Sequence, residues 1–283
     1  MEDNFIGIVA ICGDEGTCKT TMALSFPKPL VHFDTDVGGF RRAAWRLSAE
    51  ELKQIESKSY PKPIQTSKLI GQTGTPTTRI IVPKKVEGMR ELWQQIAQDF
   101  VNACMKPDVK TVIIDSATAL WNICHQSHLQ ELQEKQLANH LRLHKGAPFD
   151  ENEYRERLQP IEYGPANDKM RTVLHTARSF QKNLVLTHYP TDEYGVVPDG
   201  KGNMVEGKTG ALVMDGFKET KKLSDVVMWL SVKERSVEGK KIKEPTAKIT
   251  KCGLEGMGLD AVGLEIPASY EGIINLQSLM RGG

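Results

Sequence analysis

The segment Gly13-Asp14-Glu15-Gly16-Thr17-Cys18-Lys19-Thr20-Thr21 follows an apolar run, Phe5-Ile6-Gly7-Ile8-Val9-Ala10-Ile11, and opens a helix-forming stretch. Strand, glycine-bearing loop and helix in that order constrain the fold more than any other feature. Such a loop can turn its backbone N–H groups toward an anion only where a buried strand feeds directly into a helix. The segment fits the phosphate-binding pattern G-x-x-x-x-G-K-[ST] at every position but one, so nucleotide contacts are expected along Gly13 to Thr21. Lys19 is expected at the β- and γ-phosphates, and the Thr20 hydroxyl on Mg²⁺. The exception is Cys18, which stands where the pattern wants glycine because a side chain there crowds the phosphates.

An independent element supplies the acidic end of such a site. Thr111-Val112-Ile113-Ile114-Asp115 is an apolar strand ending in a carboxylate, the Walker B arrangement, with Asp115 expected to hold the metal. The same aspartate also suits the N-cap of a helix beginning at Ala117, and both readings stand on the sequence alone.

Short β-branched runs alternating with longer amphipathic stretches predict an α/β fold, a mostly parallel sheet flanked by helices. Strands are expected at Phe5–Ile11, Leu30–Phe33, Thr111–Ile114 and Leu184–Thr187, and helices over 19–26, 39–58, 87–105, 117–145 and 167–181. Breaks fall at Pro27, Pro61, Pro107, Pro148 and Gly164-Pro165. Residues 61–78 lose periodicity and read as a surface loop insertion. Residues 189–210 carry five glycines after a strand end and read as a mobile loop. Three further strands, Asp225–Leu230, Thr246–Thr250 and Gly272–Asn275, are expected within 224–275 to extend the same sheet. One domain spanning 1–283 is the economical count.

The P-loop, then Phe33-Asp34-x-Asp36, then Ile113-Ile114-Asp115-Ser116, then a strand ending Thr187-His188 before the glycine-rich loop, resemble RecA-type ATPases. More narrowly, the chain is similar to the RecA-like ATPases that bacteriophages encode for single-strand annealing and recombination. The resemblance covers about residues 5–252 and implies a RecA-like P-loop NTPase core using ATP and Mg²⁺. It implies that Asp36 polarises the attacking water, with Lys19 and His188 completing the catalytic set. His188 falls where the family places a polar sensor linking the γ-phosphate to the DNA loop, and an imidazole can also charge near neutral pH. Solvated turn acids for Asp34 and Asp36, and a satisfied strand-end histidine for His188, are the alternative readings.

The resemblance also makes 189–210 a loop contacting single-stranded DNA, with Tyr189, Tyr194, Lys201 and Lys208 as contacts and Phe217 a further stacking candidate. The chain carries 37 Lys+Arg against 36 Asp+Glu, so no whole-molecule field argues for nucleic acid. Residues 201–251, however, hold twelve basic against seven acidic side chains, leaving 25 against 29 elsewhere. A local +5 suits a groove that tracks a phosphate backbone. Lys218, Lys221 and Lys222 lie near where the family carries lysines that complete a neighbour's ATP site. Single-stranded DNA, a single-strand-binding or annealing protein and further copies of the chain are the expected partners. The activity expected is DNA-stimulated ATP hydrolysis. The alternative, resting on Cys18, is a nucleotide-binding but non-hydrolysing scaffold that recruits recombination or replication partners.

Composition excludes other classes. With 39% hydrophobic and 26% charged residues the chain can bury a full core and is not a disordered protein. No stretch reads as a membrane span, and Met1-Glu2-Asp3-Asn4 is no signal-peptide start, so a cytoplasmic place is expected, that of the bacterial host for a phage-encoded chain. Five cysteines without a Cys-x-x-Cys pair read as free thiols. His125 with His128, and His140 with His144, share helical spacing but lie about three to four turns apart, too far for one ion. They read as polar-face residues beside a core stripe of Trp121, Leu129, Leu132 and Leu143.

Overall fold

The computed structural model describes residues 7–64, 85–145, 147–150, 153–198, 200, 202–237, 240–254 and 257–281. Lys201 and most of the loop expected at 61–78 lie outside these.

Near-continuous apolar runs can be buried on both faces, and they form the centre of the sheet. β1 (Ile8–Cys12), β2 (Leu30–Asp34), β4 (Thr111–Asp115) and β5 (Asn183–His188) are buried at every residue. With β3 (Ile55–Ser59), β8 (Val226–Val237), β9 (Lys240–Cys252) and β10 (Glu265–Pro267) they make one sheet ordered β10-β9-β8-β1-β5-β4-β2-β3. The strands from β8 to β3 run parallel, and β9 and β10 are antiparallel additions at the β8 edge. β5 therefore lies between β1 and β4, so the loop leaving β1 and the acid ending β4 open on the same edge, two strand spacings or about 10 Å apart. That edge is where parallel α/β sheets bind ligands.

Period-2 alternation sends neighbouring side chains into two separate cores. Ile8, Phe33, Ile114 and Leu186 face α4 (Met89–Met105), α5 (Ala117–Leu143) and α6 (Tyr163–Ser179). Val9, Ile11, Ile113 and Val185 face α1 (Lys19–Leu24) and α8 (Tyr270–Met280). α4 buries Leu92, Trp93, Ile96 and Phe100 at helical spacing, each contributing about 1.5–3 kcal/mol. Three short α-helices also occur among the described residues: α2 (Gly39–Ala44), α3 (Ala49–Leu52) and α7 (Thr220–Leu223).

Five expectations need correction. The helix expected over 39–58 is α2, then α3, then β3. A capping box between Ser48 and Glu51 starts α3, and Ile55–Ser59 pairs with β2 as an edge strand whose exposed Glu56 hides the strand pattern. Gly164-Pro165 does not break a helix but sits in the first turn of α6, where a missing N–H costs nothing. Gly272–Asn275 is not a strand but part of α8, capped by Ser269; a short apolar run does not tell strand from helix. The expected loop at 189–210 is the hairpin β6 (Pro190–Pro198) and β7 (Met204–Met214), which forms its own two-stranded sheet. The core stripe of α5 includes Leu129, with Trp121 and Leu132 packed on it, but Leu143 is exposed because the end of α5 leaves the core.

Candidate functional site

The loop between β1 and α1 closes on itself. Thr17 donates through N and Oγ1 to Asp14 O, at 3.4 and 2.8 Å. A Cβ on Gly13 would lie 2.7 Å from Thr17 Oγ1 and 3.0 Å from Leu230 O, so only glycine fits this approach. Gly16 and Cys18 both take positive φ, +77° and +66°. Cys18 thus adopts the left-handed conformation that the missing glycine would adopt freely, and it caps α1 without a side-chain hydrogen bond to the helix. Its Sγ is 3.6 Å from Arg46 Nη1.

Lys19 is largely buried, and its Nζ donates to Gly13 O at 2.6 Å and Asp14 O at 2.8 Å. Burial pulls its pKa down, against the opposing field of Asp115. The ring of Tyr189 lies 4.3 Å from the same Nζ.

Thr20 Oγ1 donates to Asp115 Oδ2 at 2.6 Å, joining the P-loop to the end of β4. Burial pushes the Asp115 pKa up, but bonds from His32, Thr187 and Thr20 outweigh it and hold the carboxyl below its ordinary value. Thr187, at the end of β5, donates to Oδ1, and His32 Nε2 stands 3.4 Å from Oδ2. Asp115 is not the helix cap: that role falls to Ser116, whose side chain accepts from Ala119 N at 3.2 Å.

The two acids after β2 divide their roles. Asp34 is the turn acid, accepting from Gly38 N at 2.9 Å, while its buried Oδ1 has no partner among the described residues. Asp36 faces the cavity, and its Oδ2 accepts from Tyr189 Oη at 2.8 Å.

His188 is fully buried and does not line the cavity. Its Nδ1 donates to Asp215 O at 2.8 Å, beyond the root of the hairpin, while Nε2 has no partner among the described residues. Burial lowers its pKa to about 4, which corrects the expectation that it charges near neutral pH. The residue that spans cavity and hairpin is Tyr189, immediately before β6.

These groups enclose a cavity of about 330 Å³ lined by P-loop residues 15–21 with Asp36, Gly39, Arg42, Ala43, Arg46, Asp115 and Tyr189. Arg42 and Arg46 are missing from the sequence-derived site. The signal that could have found them is their spacing of four, one helical face following the Asp36 turn.

Of the residues assigned to DNA, Tyr189 lies instead in this cavity, while Tyr194 projects from β6 with 69% of its surface exposed. Lys208 pairs across the hairpin with Asp192 at 2.5 Å. Phe217 is buried against Trp121, so it cannot stack on a base. Lys218 and Lys221 line a second cavity of about 850 Å³ between the hairpin and the β8–β9 end of the sheet.

The donor set fits Mg²⁺ and a nucleotide. One hydroxyl and one carboxylate already share a contact, which matches an ion that keeps several waters and takes few protein ligands. A Cβ at Gly39 would lie 2.7 Å from Asp115 Oδ2 and 3.2 Å from Thr20 Oγ1, so the bare backbone there keeps that corner clear. Among the described residues no cluster of three or more His, Cys, Asp or Glu side chains could hold a metal, and no helix is long and apolar enough to cross a membrane. All five cysteines are free, and burial pushes the thiols of Cys12, Cys104 and Cys124 up to about 12.

The sequence profile of the AAA domain family matches residues 8–252. A KaiC-like protein from the hyperthermophilic archaeon Pyrococcus horikoshii OT3 has a similar crystal structure. Identity is 13% and the TM-score 0.44 over 93% of this chain and 85% of the archaeal one. No curated protein matches the sequence. The architecture is a mostly parallel sheet flanked by helices, with the phosphate-binding loop at the edge where the central strands end.

Proposed function

This chain belongs to the AAA domain family of P-loop ATPases, and from that premise we propose that it hydrolyses Mg²⁺-bound ATP in response to single-stranded DNA. The observation that carries the nucleotide half is the 2.6 Å contact between Thr20 and Asp115, the P-loop hydroxyl and the Walker B carboxylate meeting at one sheet edge. Thr20 and Asp115 would hold Mg²⁺, which neutralises charge on the phosphate oxygens when bound.

The chain's own groups do the rest. Backbone N–H groups of the loop bind phosphate oxygens, and Lys19, now held by two carbonyls and the Tyr189 ring, supplies a point charge beside them. Asp36 orients the attacking water, and the Tyr189 hydroxyl fixes which of its oxygens is free. Coupling to DNA runs through Tyr189, because that residue touches both Lys19 and Asp36 and leads directly into β6. The hairpin, with exposed Tyr194, and the basic stretch 201–251 support single-stranded DNA as the partner, in phage-type annealing, recombination or replication. An annealing or single-strand-binding protein, and further copies of this chain, belong to the same proposal.

The left-handed Cys18 favours a second reading, a scaffold that binds nucleotide without turnover. ATP hydrolysis by the wild-type chain, Lys19→Ala and Cys18→Gly, each with and without single-stranded DNA, decides between them. DNA-stimulated turnover lost in Lys19→Ala supports the ATPase. Turnover seen only in Cys18→Gly selects the scaffold, and turnover indifferent to DNA removes the DNA half.

A further inference from the structure

α2 is seated on the nucleotide site. Its first residue, Gly39, approaches Asp115 so closely that a Cβ would lie 2.7 Å from Oδ2. From that anchor, positions 39, 42, 43 and 46 share one helical face, and all four line the cavity. Two of them are arginines. Arg46 lies just past the helix end, its guanidinium 3.6 Å from Cys18 Sγ and 5.2 Å from the exposed ring of Trp45. It is thus held over the P-loop position where glycine is missing.

Neither arginine has a carboxylate partner among the described residues, whereas Arg90, Arg155, Arg171 and Arg178 each have one. Charge decides what the pair is for. The cavity lining holds three acids, Glu15, Asp36 and Asp115, and with Lys19 as its only cation it would repel a polyphosphate. Arg42 and Arg46 bring the lining to three against three before any metal is counted.

We infer that Arg42 and Arg46 bind the polyphosphate of the nucleotide, supplied by the same chain from the face of α2. The assignment rests on the reading of this cavity as an ATP site. Guanidinium forks match phosphate oxygens in pairs, so arginines replace from the side some of the wrapping that the Cys18 side chain obstructs. Because both side chains are exposed and lie outside the cores, removing them leaves the fold intact.

The test is calorimetric binding of MgATP to the wild-type chain, Arg42→Gln, Arg46→Gln, the double variant, Arg46→Lys and Lys19→Ala. Adenosine binding is followed in parallel by ligand NMR, and melting temperatures check folding. Each glutamine variant is expected to weaken MgATP by roughly tenfold or more, as loss of a charge-assisted bond does, with adenosine unchanged. Arg46→Lys should restore only part of the affinity, since a point charge lacks the fork. A double variant that binds MgATP within about twofold of wild type while Lys19→Ala loses binding overturns the arginine assignment alone, because that change is too small for even one charge-assisted bond. Equal losses for MgATP and adenosine also overturn it, by placing the guanidiniums on the base. A wild-type chain that fails to bind MgATP overturns the ATP-site reading and this inference with it.

Discussion

Cys18 carries a backbone cost that glycine would not. A left-handed conformation costs an L-residue roughly 1–2 kcal/mol, against which glycine's greater unfolded freedom costs about 0.5–1. Cys18→Gly should therefore change unfolding free energy by about 0–1.5 kcal/mol, in the stabilising direction. Cys18→Val, β-branched at φ +66°, should lose roughly 1–3 kcal/mol. Urea unfolding of the two variants tests the conformation itself: equal stabilities would mean that Cys18 is not held left-handed. At Tyr189 the hydroxyl and the ring do separate jobs, and Tyr189→Phe removes only the 2.8 Å bond to Asp36. Turnover should fall by roughly three- to tenfold while MgATP affinity holds, because a loosened acid orients water less well. Steady-state kinetics beside calorimetry would show it, and a loss confined to affinity would contradict it. Gly13 to Thr21 and Asp115 are legible in the sequence because a phosphate loop and its acid need fixed spacings after buried strands. Arg42 and Arg46 are not, because an exposed arginine on a short helix carries no motif until the helix is placed.

Among the elements, β5 and the hairpin it leads into connect the two sheets. Thr187 holds Asp115, and Tyr189 N donates to Thr118 Oγ1, which in turn donates to Asp215 O beyond β7. The root of the hairpin is thereby tied to the site while its outer pairs, from Tyr194 with Lys208 to Pro198 with Met204, extend away. Joining Asp192 to Leu212 through Asn-Gly keeps the three root pairs and removes the rest. MgATP affinity should then stay within about twofold, since distant changes act independently, while single-stranded DNA no longer raises turnover. Fluorescence anisotropy with labelled oligonucleotide would show the loss directly, and undiminished DNA binding would move the DNA site off the hairpin. The four central strands are readable as apolar runs because they are buried on both faces. β3 is not, since an edge strand needs no such run, and neither is the hairpin, whose glycines and exposed side chains look like loop until the chain is seen to pair with itself.

For the whole molecule, the basic excess over 201–251 is partly spent inside the fold. Lys208 pairs with Asp192 and Lys241 with Glu234, and Lys233 pairs with Glu265. Lys251 donates to the carbonyl oxygens of Lys221, Lys222 and Ser224. Sequence counting shows the asymmetry of charge but cannot show which of it faces solvent. Burial also sets the response of global stability to acid. His188 stays neutral in the folded chain down to about pH 4, whereas an unfolded histidine takes up its proton near 6.5. Between those values the unfolded state binds more protons, so stability rises with pH and is lost on acidification. His125 is shifted in the same direction by burial and adds to the same trend. Against the upward push of burial, paired carboxylates such as Asp99 and Glu131 are held below their ordinary range by their partners, so the first losses on acidification belong to the histidines. His188→Asn retains a donor for Asp215 O but no titrating group. Denaturant midpoints from pH 7.5 to 4.5 should fall for the wild-type chain and fall less steeply for the variant. Parallel slopes would mean that His188 is solvated and charges in the folded protein, and the buried junction between β5 and the hairpin would have to be redrawn.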